Sequence, residues 1–198
     1  MDGIKFTLHW MLYNISLAII PVMFGLFMYQ AKTKFFKYLF GLVWILFLPN
    51  TIYILTDIIH FPKDWVMVND VYKPVFIFTY ILLMITGIGT FVFSMYPLEL
   101  MLRKLKKKSQ IIEKDLILIG VNILVAFGMV LGRVQRLNSW DVFFNIPKVI
   151  EDAIQVMLQP YLLSLFLLFS IACNIIYFLF RNAFRKYEKQ FFIFPSKN

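Results

Sequence analysis

Five runs of predominantly apolar residues, at roughly 8–30, 36–59, 75–97, 115–131 and 160–180, constrain this chain more than any other feature. Each approaches the about 20 residues that an α-helix needs to cross the hydrocarbon core of a bilayer. Composition supports the same reading: 61% of the 198 residues are hydrophobic, against roughly 45–50% in soluble domains. A water-soluble fold of this length has too little interior to hide that surface. Aromatic residues make up 19% of the chain and charged residues 16%, which excludes a disordered, coiled-coil or collagen-like chain. The expected fold is all-α, a polytopic integral membrane bundle of five transmembrane helices forming a single domain over 1–198. The opening Met1-Asp2-Gly3-Ile4-Lys5 lacks the basic segment and small-residue cleavage site of a signal peptide, so the first run is read as a retained span. Cys173 is the only cysteine and lies within the fifth run, leaving no internal disulfide and no cysteine-based metal cluster.

The connections carry the orientation. Lys32, Lys34 and Lys37 follow the first span, Arg103, Lys104, Lys106, Lys107, Lys108 and Lys114 the third, and Arg181, Arg185, Lys186, Lys189 and Lys197 the fifth. Fourteen of the 20 basic residues therefore share one side of a five-span chain. The positive-inside rule makes that side cytoplasmic, with the N-terminus out and the C-terminus in. The net charge of +9 is then a topology signal facing anionic lipid, and no nucleic-acid partner is expected. Trp10, Trp65 and Trp140 map near the outer boundary, where amphipathic rings settle. Between the fourth and fifth spans, Lys148, Glu151, Asp152, Gln155 and Gln159 recur at helical spacing while Val149, Ile150, Ile154, Val156 and Leu158 face away. An amphipathic helix over about 147–159, lying on the outer leaflet, is expected, with Pro147 in its first turn and Pro160 ending it.

Ionisable groups inside spans are expensive, so each is a functional candidate. The second span holds a Pro49 that strips the carbonyl of Ile45 of its helical partner and predicts a kink. Beyond it, Asn50, Tyr53, Asp57 and His60 are spaced three, four and three apart, which places them within roughly 80° of one helical face. A second cluster, Gly132-Arg133-Val134-Gln135-Arg136-Leu137-Asn138-Ser139-Trp140-Asp141, emerges on the same outer side. Asp57 is expected to pair with Arg133 or Arg136, leaving the other guanidinium to a carboxylate or phosphate. Such a pair serves equally to lock spans two and four together. Tyr13 and Asn14 are placed to complete the pocket. Gly128 and Gly132 form a small-residue face suited to close helix packing, and Glu99 with Arg103 forms an i,i+4 pair. A metal site from His9, Asp57 and His60 matches no metal motif, and neither metal nor cofactor is assigned.

These stretches also carry a resemblance. Leu48-Pro49-Asn50, Tyr53, Thr56-Asp57 and His60, with Gly132-Arg133, Arg136 and Asn138-Ser139-Trp140-Asp141, resemble the small multi-pass bacterial proteins grouped as domain of unknown function 1361. The resemblance implies a protein of the bacterial cytoplasmic membrane and brings no substrate, cofactor or catalytic residue. From the residues themselves the leading expectation is an outward-facing site that binds or modifies an anionic lipid head group or envelope precursor. Asp57 and His60 would transfer a proton, and Asn50, Tyr53, Thr56, Arg133, Arg136, Asn138, Ser139, Trp140 and Asp141 would hold the ligand. Whether the chain is an enzyme stays open. A transporter or substrate-capture subunit, using the Pro49 break near the midplane, is the alternative. A non-catalytic partner of a membrane complex is the third.

Overall fold

The computed structural model describes residues 2–104 and 111–191, with side chains placed for 11–104 and 113–185. Much of the basic bias, including Lys106, Lys107, Lys108 and Lys197, lies outside the described residues, as does the side chain of His9. Among the described residues all regular structure is helical. Five stretches are long and apolar enough to cross a membrane: Met11–Gln30, Lys34–Met67, Asp70–Arg103, Glu113–Arg133 and Pro160–Arg185. The chain is thus a multi-pass helical protein of membrane type. The elements in order are α1 (Asp2–Gln30), α2 (Lys34–Phe47), α3 (Pro49–Thr56), a 3-10 turn at Asp57–His60, α4 (Phe61–Met67), a second 3-10 turn at Asp70–Tyr72, α5 (Lys73–Arg103), α6 (Ile111–Arg133), α7 (Asp141–Phe144), α8 (Ile146–Leu158) and α9 (Pro160–Phe191).

The second span is the broken one, as Pro49 requires. Helix α2 stops at Phe47 and α3 restarts on Pro49 as its first residue. Two carbonyls at the break find side-chain donors: Asn50 Nδ2 donates to Phe47 O at 3.1 Å and Thr51 Oγ1 to Leu48 O at 2.7 Å. That repair is what allows a proline at membrane depth. The expected span at 36–59 also runs on, through the 3-10 turn into α4, because Phe61 and Trp65 stack against Phe76 and Tyr80 of α5.

Helix α1 packs on α2, α3 and α5, and α6 packs on α9, while α3 bridges the halves by touching both α5 and α6. Between membrane helices no hydrophobic force acts, since lipid is as apolar as leucine, so close packing must do the joining. The residues obey this. Gly128 lies where a Cβ would sit 2.5 Å from Pro49 Cγ, and Gly132 where one would sit 1.4 Å from Tyr53 Oη. The two glycines are seats for those rings. On α9, Ser170, Cys173 and Tyr177 are buried, whereas Leu168, Ile171, Ile175 and Leu179 are exposed as an apolar row suited to lipid. In mid-bundle Asn122 Nδ2 donates to Asn174 Oδ1 at 3.1 Å, an amide link between α6 and α9.

At the end of the bundle where α5 and α9 finish, Glu99 is buried among donors. Tyr177 Oη donates to its Oε2 at 2.8 Å, and Arg103 Nη2 at 2.9 Å and both Nε and Nη2 of Arg185 reach Oε1. Arg181 pairs with Asp115 at 2.7 Å beside it. The i,i+4 pair expected at Glu99 is therefore part of a knot tying α5 to α9, with α6 joined through Asp115. At the other end, α8 is the amphipathic helix expected over about 147–159, with one acid turned inward. Ile150, Ile154, Met157 and Leu158 are exposed and Glu151 lies in the polar sector, but Asp152 is buried with Val156 against α6 and α9. The polar row is split because the helix has three environments to satisfy rather than two.

Candidate functional site

Two local features build a polar site at the end opposite the Glu99 knot. One is the break at Pro49, which turns Asn50 and Tyr53 inward on a short helix that then tightens into the 3-10 turn carrying Asp57 and His60. The other is the end of α6. Arg136 adopts φ 58°, a left-handed conformation that L-residues other than glycine and asparagine rarely take. It reverses the chain, with Leu137 N–H on Leu131 O at 3.1 Å. The segment Asn138–Asp141 is thereby folded back over α3, and the backbone N–H of Asn138 donates to Asp141 Oδ2 at 2.6 Å to hold the turn.

Asp57 is 1% exposed and meets Arg133 Nη1 through Oδ1 at 3.4 Å, while its Oδ2 accepts from Asn14 Nδ2 at 3.0 Å. Its Oδ1 has no hydrogen bond, so the carboxylate holds the guanidinium at ion-pair range only. Arg133 Nη2 donates to Thr56 O at 3.4 Å and lies 3.0 Å from His60 Nε2. A guanidinium can only donate. His60 Nε2 is therefore the acceptor, which requires the neutral imidazole with its proton on Nδ1. Arg133 contacts both the buried carboxylate of Asp57 and the exposed imidazole of His60.

Beside this cluster is a cavity of about 220 Å³ lined by residues including Tyr13, Asn14, Asn50, Tyr53, Arg133 and Trp140. The charged side chain in its lining is Arg133, itself 25% exposed. Tyr53 Oη donates to Gly128 O at 2.8 Å, and Asn50 Nδ2 to Ser139 Oγ at 3.2 Å. A second cavity, also about 220 Å³, adjoins the first on the α2–α6 side and is mostly apolar. Asn50, Tyr53, Gly132, Leu137, Asn138 and Ser139 line both.

The residues singled out from the sequence fall into three groups. Asn50, Tyr53, Arg133, Asn138, Ser139 and Trp140 line the polar cavity. Asp57, Thr56, His60 and Asp141 stand behind it and act on its wall, through Arg133 or through the 138–141 turn. Arg136 is exposed and outside the lining of both cavities. Asn14 gains a definite role as the second partner of Asp57. Leu17, Phe47 and Leu137, which sequence reasoning did not single out, also line the polar cavity; a lone aliphatic or aromatic side chain carries no signal for a polar site. Among the described residues no group of three or more His, Cys, Asp and Glu is arranged to hold a metal ion.

The family model described as a protein of unknown function (DUF1361) matches residues 13–176. That range takes in α3, the 3-10 turn, α6 and the 138–141 segment, and so the whole of the polar cluster. No curated protein and no solved structure matches the chain.

Proposed function

This chain belongs to the DUF1361 family, and for it we propose a binding site for an anionic group, a phosphate or carboxylate, presented at the outer face of a bacterial cytoplasmic membrane. The observation that carries the proposal is Arg133: among the described residues it is the charged group on the wall of a cavity lined besides by amides, hydroxyls, aromatic rings and the aliphatic Leu17 and Leu137. A guanidinium fixed in orientation on a cavity wall attracts an oxyanion by its charge and by any N–H turned to the cavity. Asp57 and His60 supply that fixation. The buried carboxylate grips one side of the guanidinium and the imidazole lone pair the other, so the cation is aimed before a ligand arrives. Asn14, with one N–H given to Asp57, and Ser139, whose hydroxyl oxygen accepts from Asn50, offer neutral donors beside it, and Trp140 lines the same cavity. Arg136, exposed beyond the cavity, adds long-range attraction. In this reading Asp57 and His60 are positioning residues for a binding cation, and the proton-transfer role is the one that the His60→Gln variant tests.

The test uses native mass spectrometry of the full chain in detergent with equal amounts of dioleoyl phosphatidylglycerol and dioleoyl phosphatidylcholine. The expected result is preferential retention of one phosphatidylglycerol, lost in an Asp57→Asn/Arg133→Gln variant that still unfolds cooperatively. Equal retention of both lipids by the unmodified chain would overturn the proposal.

A further inference from the structure

We infer that the ligand of this site is an amphiphile: its anionic head rests on Arg133 and its hydrocarbon chain lies in the apolar groove between α2 and α6, entered sideways from the bilayer. The inference rests on the anion-binding reading and extends it to the rest of the molecule bound. Three observations carry it. First, α2 packs on α1 and α6 on α9, and the space between α2 and α6 is the second cavity, walled by Ile45 and Leu46 on one side and Leu124, Phe127 and Leu131 on the other. Leu124 is exposed at its lip, so the groove opens on the face that meets lipid tails. Val142 of α7 and Val149 of α8 close it at the level of the polar site.

Second, the polar cavity and the groove are adjacent, and Asn50 and Ser139, hydrogen-bonded to each other, line both. A molecule occupying both would meet donors at one end and aliphatic side chains at the other within a single site. Third, the sizes agree. Each cavity alone is about 220 Å³, below the roughly 300 Å³ at which small-molecule sites begin, and the two share six lining residues. A free oxyanion would fill the polar half and leave the groove without a purpose. Because a chain passing from bilayer to groove exchanges one hydrocarbon setting for another, the groove fixes the ligand's register and entry path, while Arg133 supplies the discrimination.

The experiment reconstitutes the full chain in phosphatidylcholine vesicles doped with phosphatidylglycerol bearing a diazirine on one acyl chain, irradiates them, and maps the label by peptide mass spectrometry. Label concentrated on 124–131 and 142–149, and weak on the exposed row Leu168–Leu179 of α9, is the expected result. It should disappear when the diazirine is carried by phosphatidylcholine, and in the Asp57→Asn/Arg133→Gln variant. Label spread evenly over the exposed helix faces, while phosphatidylglycerol is still retained in preference to phosphatidylcholine, overturns the chain placement and leaves the anion site standing. Groove labelling by both lipids alike, unchanged in the double variant, overturns the anion-binding reading and this inference with it. Competition by soluble glycerol phosphate separates the two sources of the head group: displacement of the lipid at equal concentration shows that the chain contributes nothing and sinks the inference.

Discussion

Two of the buried carboxylates, Glu99 near one end of the bundle and Asp57 near the other, are treated oppositely. Glu99 is saturated: a tyrosine hydroxyl and two arginines from two helices fill both its oxygens. Asp57 is under-filled, with one amide on Oδ2 and a guanidinium at 3.4 Å from an Oδ1 that has no hydrogen bond. The saturated acid sits in a helix junction, and the under-filled one stands behind a cavity. A carboxylate whose partners are spent on it can only fasten helices. One that holds a cation at arm's length on the wall of a cavity leaves a charge facing that cavity. The presence of a buried ion pair does not tell a lock from a site; the way its lone pairs are filled does.

The largest effect is expected at the lock. Glu99→Ala strands the buried Tyr177 hydroxyl and releases Arg103 and Arg185, and should cost about 3–5 kcal/mol. Thermal unfolding in detergent should show it as the steepest loss of any single variant named here, with lipid preference intact in whatever remains folded. An unchanged melting temperature would erase the distinction between the ends. Next comes the seat of α3 on α6. Gly128→Ala gains about 1 kcal/mol of helix propensity but drives a methyl group to 2.5 Å from the rigid Pro49 ring, and overpacking of that kind costs roughly 1–3 kcal/mol. A net lower melting temperature together with weakened lipid preference is expected; a stabilised protein would mean that α3 and α6 are not held as described.

Much of this architecture was legible in the sequence because membranes leave the chain few options. Apolar runs of span length gave the five crossings, and a proline within one gave the break, since no other element satisfies the backbone in lipid. Gly128 and Gly132 were legible as a packing face for the same reason. The site was legible in part. The spacing of Asn50, Tyr53 and Asp57 named a polar stripe with Asp57 buried and His60 at its wet outer end, but the 3-10 turn at Asp57–His60 changes the pitch just where His60 was placed, so the contact of His60 Nε2 with Arg133 was beyond an ideal-helix argument. Arg133 and Arg136 were equivalent by type and spacing. The left-handed residue that separates them is an arginine, and no glycine marked the reversal. Tyr177 and Arg185 were invisible as partners of Glu99 because they lie 78 and 86 residues away.

Smaller effects sharpen the Asp57 end. Asp57→Asn keeps an acceptor for Asn14 but removes the counter-charge of Arg133. Because that guanidinium is partly exposed to the cavity, the loss of stability should stay at about 1–2 kcal/mol, below that of Glu99→Ala, while selectivity for phosphatidylglycerol falls in the mass-spectrometric assay. A stability loss equal to that of Glu99→Ala would make Asp57 a second lock. The smallest effect is expected from His60→Gln. The new amide oxygen can still accept from Arg133, and the position is exposed, so both stability, within about 0.5 kcal/mol, and lipid preference should be retained. If lipid preference vanishes with stability unchanged, the imidazole itself acts, and proton transfer replaces positioning as its role.

The most direct measurement is the paired neutralisation at each end, read for melting temperature and for phosphatidylglycerol retention in the same samples. Replacing both members of an ion pair by neutral residues of similar size avoids the stranded charge that removal of one leaves. Asp57→Asn/Arg133→Gln should therefore melt near the unmodified protein and lose its preference for phosphatidylglycerol. Glu99→Gln/Arg185→Gln leaves Tyr177 and Arg103 with a neutral acceptor; it should melt lower and keep the preference. The opposite pattern, with lipid preference surviving the first pair and lost with the second, would contradict the assignment of site and lock to these two ends.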